Sequence, residues 1–404
     1  MKENTILTKK EDKNKNIIFV SMSSINLNTS ATIRNRALIE GLIQNGNKVE
    51  VLTVEALRSN PFYDESIKPN DNLKINHIKN IKSYENLVKK ESNIKGKIKN
   101  ILLPLLRYLY HKFSIFDNTI YVAKKADLKY LSRKSYDIII SSSDPKSSHY
   151  AAKKLIESGL VYGKWIQYWG DPLAIDMTKN NLYPKIVLKY FERKLFSCSD
   201  KIVYVSPFTL DQQKLLYPQF SKKMFFIPIP YEKTKKIIIT SNTNNIDLPR
   251  IGYFGAYHSQ VRNALPLFNT CISNNYYLTI AGGSDLKLEN SEYIKIFDRI
   301  SKSKVDVLED QCSILVCILN KSGTQIPGKV YHYAATNKPI LIILDGEYKE
   351  RLRNYFESYN RFVFCDNDEI SIKTAINQLI YNNQKFKPCS EFDPVYIASK
   401  FLEL

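Results

Sequence analysis

The sequence predicts an α/β protein of two doubly wound, Rossmann-like parallel-sheet domains that face each other across a cleft. Three observations carry this prediction. Short β-branched runs of strand length alternate with amphipathic stretches of helical length. That alternation starts twice, first at Asn16 and again at Pro249. Between the two halves lies IPIPYEKTKKIIITSNTNNIDLP, which carries proline first and is polar afterwards, the composition of an interdomain linker.

The first half opens with NIIFVSMS (Asn16–Ser23), a run suited to a buried parallel strand. A polar loop, Ser24–Thr32, leads into a helix whose Ala37, Leu38, Leu42 and Ile43 share one face. Gly46 ends it, and Val49–Val54 forms the next strand. This β–loop–α–β unit recurs in Tyr136–Gly159, and further strands ending in polar turns follow in Lys164–Pro172 and Asp200–Pro207. The second half repeats the grammar through Pro249–Cys271, Tyr276–Asp285, Ser313–Gly323, Lys338–Gly346 and Arg361–Ile380. The expected organisation is a disordered tail over 1–15, an N-terminal domain over 16–225, a linker over 226–248 and a C-terminal domain over 249–385. A last helix over 386–404 is expected to cross back to the N-terminal domain.

Composition narrows the classes. At 404 residues, with 44% hydrophobic and 12% aromatic content, the chain is long and apolar enough for two cores, which excludes a disordered protein. No apolar run reaches the length needed to span a bilayer, and the charged start MKENTILTKKEDKNKN lacks the apolar core of a secretory signal. Six cysteines are scattered without a CxxC pair. A cytoplasmic location is therefore expected. The net charge of +19 favours polyanions, although lysine enrichment by itself names no partner, and no nucleic-acid motif accompanies it.

Ligands of doubly wound sheets bind beyond the carboxyl ends of the strands, so the loops there hold the candidate residues. GTQIPGKVYHYAATNKPIL (Gly323–Leu341) reads as a strand end, a tight turn and a helix start, with Pro327 tolerated in the first turn. Gly328 leaves backbone uncovered and Lys329 adds a charge to the helix dipole, a combination that favours phosphate. The other reading is an ordinary strand–helix connection with a solvated lysine. Arg262 and Asn263 follow the turn after the strand Ile251–Phe254, where an arginine can clamp a diphosphate and Gly255 admits close approach. GxGxxG and GxxxxGK[ST] are both missing, which argues against a dinucleotide oxidoreductase or a P-loop enzyme. Asp366 and Asp368 read as helix-capping residues rather than a metal site. His149 and Asp171 are expected to border the cleft on the N-terminal side, either as acid–base groups or as structural hydrogen-bond partners. Lys89–Phe113 mixes an apolar side with lysines, which suits an anionic membrane surface or an internal helix with a basic outer face.

Several stretches together resemble a family 4-like glycosyltransferase with the GT-B fold: NIIFVSMS…RNRALIEGLIQNGNKVEVLT, YDIIISSSDPKSSH, WIQYWGDP and YFGAYHSQVRN. IPGKVYHYAATNKPIL stands where that family has P-x-K-x-x-E-Y-x-A-x-x-K-P. The resemblance implies that the C-terminal domain holds a nucleotide-diphosphate sugar as co-substrate, with no cofactor and no bound metal. Arg262 and Lys329 would neutralise the diphosphate. Asn263, Gly255, Thr324, Gln325, Ile326 and Gly328 belong to that donor side, with backbone N–H groups around Ile326–Gly328 assisting. His149 and Asp171 would line the acceptor side. The chain departs from the family where it carries two glutamates, here Thr324 and His332; a neutral His332 can still bond a ribose hydroxyl. The implied activity is transfer of a sugar to a surface-polysaccharide or lipid-linked glycan at the inner membrane face, with retained anomeric configuration. The alternatives are a non-catalytic GT-B protein that binds a nucleotide sugar or a partner enzyme, and a sugar-nucleotide epimerase of the same architecture.

Overall fold

The computed structural model describes residues 14–70, 72–81, 115–176, 183–232, 248–381 and 384–404. The segment 89–113 and most of the linker lie outside these residues.

Seven strands form the first sheet: β1 (Asn16–Ser21), β2 (Lys48–Val54), β3 (Lys74–Ile78), β4 (Ser135–Ser142), β5 (Val161–Trp169), β6 (Lys201–Tyr204) and β7 (Met224–Phe226). Six form the second: β8 (Arg250–Phe254), β9 (Tyr277–Ala281), β10 (Ile294–Phe297), β11 (Ile314–Ile318), β12 (Ile340–Leu344) and β13 (Val363–Asp366). The orders are β3-β2-β1-β4-β5-β6-β7 and β10-β9-β8-β11-β12-β13, and the pairings within both sheets are parallel. Each order reverses once, between β1 and β4 in the first sheet and between β8 and β11 in the second. Central strands such as β11 and β12 are buried along their whole length, as a parallel strand covered on both faces must be.

Apolar packing does not stop at the domain boundary. One cluster of buried side chains runs from Phe19, Leu38 and Tyr168 through Ile229 and Tyr231 to Val330, Tyr331 and Phe401. The final helix, Pro394–Glu403, lies against the first helix, Ser30–Gln44, with Phe401 set edge-on to Tyr168. Contact there is close enough that a Cβ on Gly41 would sit 2.0 Å from the Pro394 carbonyl oxygen. Nothing can be added at Gly41 without parting the two helices. Gly41→Ala is therefore expected to cost about 1–3 kcal/mol by overpacking, read as a lower midpoint in chemical denaturation. Gly283→Ala, where nothing lies within 4 Å, should stay within about 0.5 kcal/mol of the parent.

Candidate functional site

The two sheets meet at their carboxyl edges. Loops leaving β1 and β6 in the first sheet touch loops leaving β10 and β11 in the second: Arg299 donates to the Asn28 carbonyl, and Ser206 Oγ donates to the Thr324 carbonyl at 2.6 Å. The crevices at the two reversal points therefore open toward the opposite domain, where a doubly wound sheet takes its ligand.

On the C-terminal side, Arg262 bridges the reversal point. It leaves the loop after β8, and its Nε donates to Asn320 Oδ1 (2.8 Å), just beyond β11, while Nη1 donates to the Ala256 carbonyl (3.1 Å). Asn320 in turn donates to the Gln325 carbonyl at 3.1 Å, which ties the arginine to the loop 324–327. Gly255 donates to the Ala281 carbonyl, and Ser259 bonds Asp285 through both backbone and hydroxyl at 2.7 Å, so the loop after β8 is fixed to the loop after β9.

The other expected donor residues fall into two groups. Gly328 lies beside His332, whose Nε2 would be 4.0 Å from an added Cβ. Burial holds the His332 pKa down at about 3, against the pull of Glu232 and with help from Lys329, Lys302 and Arg36. The ring is therefore neutral, and its buried Nδ1 has no partner among the described residues. The second group is committed elsewhere. Lys329 Nζ pairs with Glu309 at 2.8 Å and lies over the Tyr333 ring, so its charge is already balanced. Lys329 and Arg262 nonetheless share a neighbourhood, since both act electrostatically on the buried Cys317 thiol. The helix that carries Lys329 is only six residues long, Gly328–Tyr333, so few peptide dipoles align there.

Thr324 is not turned to a donor. Its hydroxyl meets Thr209 Oγ1 at 3.0 Å and Gln212 Oε1 at 3.3 Å, both on the N-terminal domain's helix Pro207–Leu216. Asn263 Oδ1 accepts from the N–H of Leu265 and so starts the helix Leu265–Ser273, while Ile326 is buried in the core. Asp368 accepts from the Ser371 N–H at 2.8 Å, as a capping residue does.

On the N-terminal side, Asp171 lies in a group of charges at the ends of β4 and β5. Lys146 is 5% exposed and pairs with Asp144 (2.7 Å) and Asp176 (2.9 Å). Burial opposes the lysine's charge, but Asp144, Asp176 and Asp171 outweigh it and raise its pKa. Asp171 is itself pushed up to about 7, by burial first and then by Asp144 and Asp176, against Lys146 and Arg34. A carboxyl group poised there can both give and take a proton.

His149 does not border the cleft. It is fully buried, its Nδ1 lies 2.8 Å from Ser141 Oγ, and its ring stacks on Trp169 at 4.3 Å. Burial, Lys146 and Arg34 hold it well below the usual histidine range, so it is neutral. It stands in the first turn of the helix Ser147–Glu157, among the residues that helix buries.

Arg34 was not singled out by the sequence. It leaves the helix after β1, donates to Ser142 Oγ and to the Ser143 carbonyl after β4, and lies 4.5 Å from the Tyr168 ring centroid. It thus bridges the first sheet's reversal point as Arg262 bridges the second's. Gly170 in WGDP gives way to it, because a Cβ there would meet Arg34 Nη1 at 2.5 Å. One signal was readable: Arg34 stands four residues before Leu38, on the face the helix buries.

Among the described residues, two cavities open between the domains. One of about 760 Å³ is lined by Arg36, Glu40, Lys68, Glu232, Lys302 and Asp306, and in it Glu232 pairs with Arg36 (2.6 Å) and Lys302 (3.5 Å). The other, about 590 Å³, lies beside Thr324 and Gln325 and is walled by Ile175, Gln212, Leu216 and Tyr348. Among the described residues no group of three or more His, Cys, Asp or Glu side chains is placed to hold a metal ion.

No protein-family model and no curated protein sequence matches the chain. Solved structures do. The catalytic domain of starch synthase IV from Arabidopsis thaliana, bound to ADP and acarbose, is 10% identical over 96% of this chain and 97% of that one, with a TM-score of 0.59. The trehalose 6-phosphate synthase from Burkholderia multivorans is 9% identical over 97% of this chain and 98% of that one, with a TM-score of 0.56. AviGT4, a glycosyltransferase involved in avilamycin A biosynthesis, is 10% identical over 96% of each, at 0.50. At such identities the likeness speaks for the fold: the chain has the two-domain GT-B architecture.

The raised Asp171 pKa makes a prediction about stability. The folded state favours the protonated carboxyl, so full stability is present below the ordinary value of 3.8 and is lost as pH rises toward 7. Asp171→Asn is expected to raise the melting temperature at about pH 8 by roughly 2–4 °C, the equivalent of about 1 kcal/mol in a domain of this size, and the gain should vanish near pH 4. A gain that is equal at both pH values would show that Asp171 is an ordinary ionised carboxylate.

Proposed function

We propose that the protein is a glycosyltransferase that moves a sugar from a nucleotide-diphosphate donor to a surface-polysaccharide or lipid-linked glycan acceptor at the inner face of a membrane. One observation carries this reading. Two doubly wound sheets meet at their carboxyl edges, an arginine spans each reversal point, and a carboxyl group near neutrality stands on the first edge. The starch synthase domain of the same fold was solved with ADP, which agrees with a nucleotide diphosphate on the second edge.

In this reading the diphosphate lies at the crevice between β8 and β11. Asn320 and the Ala256 carbonyl fix the Arg262 guanidinium in one orientation, and its remaining donors clamp phosphate oxygens. Lys329 exchanges Glu309 for the same anion. As the acceptor oxygen bonds to the anomeric carbon, the bond to the diphosphate oxygen breaks and the electron pair leaves with the diphosphate. A phosphate oxygen takes the acceptor's proton, on the same face, so configuration is retained. The two cations stabilise the charge that develops, without a metal. Asp171 orients the acceptor hydroxyl, and His149 acts by packing against Trp169 and bonding Ser141.

A second reading, a non-catalytic GT-B protein that binds a nucleotide sugar or a partner enzyme, has Thr324 in its favour. Where the resembled family places a glutamate on the transferred sugar, this side chain is tied to the opposite domain.

Screening nucleotide sugars for thermal stabilisation identifies the donor, since a bound ligand raises apparent stability by mass action. With that donor, Arg262→Ala and Lys329→Ala should each lower transfer about 10²–10³-fold while leaving the fold intact. Unchanged transfer in both variants overturns the site, and tight donor binding without turnover on any extract-derived acceptor selects the second reading.

A further inference from the structure

The helix Lys185–Cys198 presents an outer face that the cleft does not use. Leu188, Glu192, Leu195 and Phe196 turn inward. Glu192 is the helix's single acidic residue, and its carboxylate is spent inside, accepting from the Leu173 N–H at 2.5 Å and the Tyr217 hydroxyl at 2.6 Å. The outer side is left with Lys185, Arg193 and Lys194, with half-buried Lys189 on its flank, and none of these four forms an ion pair with any described residue. Among these cations stand two large apolar side chains, Ile186 at 76% exposure and Tyr190 at 61%. They are four residues apart and so lie together on one face.

We propose that this face docks on the surface of an anionic lipid bilayer. Ile186 and Tyr190 enter the headgroup region, and the four cations sit against lipid phosphates. Charge complementarity selects the occupant. Four cations without a surface acid match a continuous negative sheet, and two apolar side chains are too small a core for a protein partner. An isoleucine at 76% exposure has no use on a nucleic-acid backbone, whereas a bilayer rewards its burial.

The position has a functional sense. The helix follows the loop that leaves β5, the strand whose end carries Asp171, so its first two turns lie toward the carboxyl edge of the sheet. Docking there brings the mouth of the cleft to the lipid surface, where an acceptor on a lipid carrier would be presented. The proposal rests on the membrane-face part of the reading above. Docking is measured without donor, so failure of docking and failure of glycosyl transfer are read separately.

The test is co-sedimentation of the full chain with phosphatidylcholine vesicles, with and without phosphatidylglycerol. Binding is expected only with the anionic lipid. It should fall about fivefold for each cation removed in Lys189→Ala and Arg193→Ala, and roughly tenfold in the pair Ile186→Ala and Tyr190→Ala. Ile186, Tyr190 and Arg193 are exposed and Lys189 is half-buried on the flank, so circular dichroism and melting should match the parent. Retention of the parent by phosphatidylcholine alone, or undiminished binding by the variants, overturns the proposal. So does equal binding of the parent to duplex or single-stranded nucleic acid, or self-association that the same substitutions abolish.

Discussion

Each sheet turns its strand order once, and at each turn an arginine closes the gap. A parallel sheet sends its connections away from the reversal point, so the crevice left there is floored by outward-pointing carbonyl groups. Arg34 donates to the Ser143 carbonyl in the first sheet and Arg262 to the Ala256 carbonyl in the second. A buried hydrogen bond from a charged donor, as at Ser143, contributes about 1.5–3 kcal/mol; the Ala256 carbonyl is exposed and also accepts from the Tyr253 hydroxyl at 3.0 Å. The same guanidinium groups that satisfy these carbonyls make the crevices cationic. Holding the loops and favouring an anionic ligand are two results of one arrangement.

The strongly buried elements were readable in the sequence because their physics is local. Apolar runs such as Ile314–Ile318 and Ile340–Leu344 can only be strands covered on both faces, and the repeat of strand and helix in both halves implied two sheets. The edge strands β3, β7 and β10 escaped notice. KINHI and IKIF are short and partly polar, and MFF is only three residues long, as strands at or near a rim are allowed to be. The site was readable only in part. Arg262 and Asp171 could be placed because each follows a recognisable strand end. Arg34 and Asn320 could not, since their roles depend on which strands lie side by side, and His149 was misplaced because sequence does not give the direction of a side chain.

The two departures from the resembled family have different physical outcomes. His332 keeps a neutral ring beside Gly328, with one buried nitrogen that has no partner among the described residues. Thr324 has been drawn into a polar seam in which Ser206, Thr209 and Gln212 of one domain hold the loop of the other, and Gln212 continues to the Tyr348 hydroxyl at 3.4 Å. A glutamate at this position would bring a charge to a place enclosed by hydroxyl and amide groups, without a cation of its own. The substitution thus fits an interface that is closed by short neutral contacts.

The backbone passes from one domain to the other twice, once after Tyr231 and once before the final helix. These two passages are fastened together: the Tyr231 N–H donates to the Phe392 carbonyl at 3.1 Å, and its hydroxyl reaches Asp393 at 3.2 Å. The described ends of the two passages are thus held side by side at Tyr231 and Phe392–Asp393. Any sliding of one half along the other would have to break these bonds.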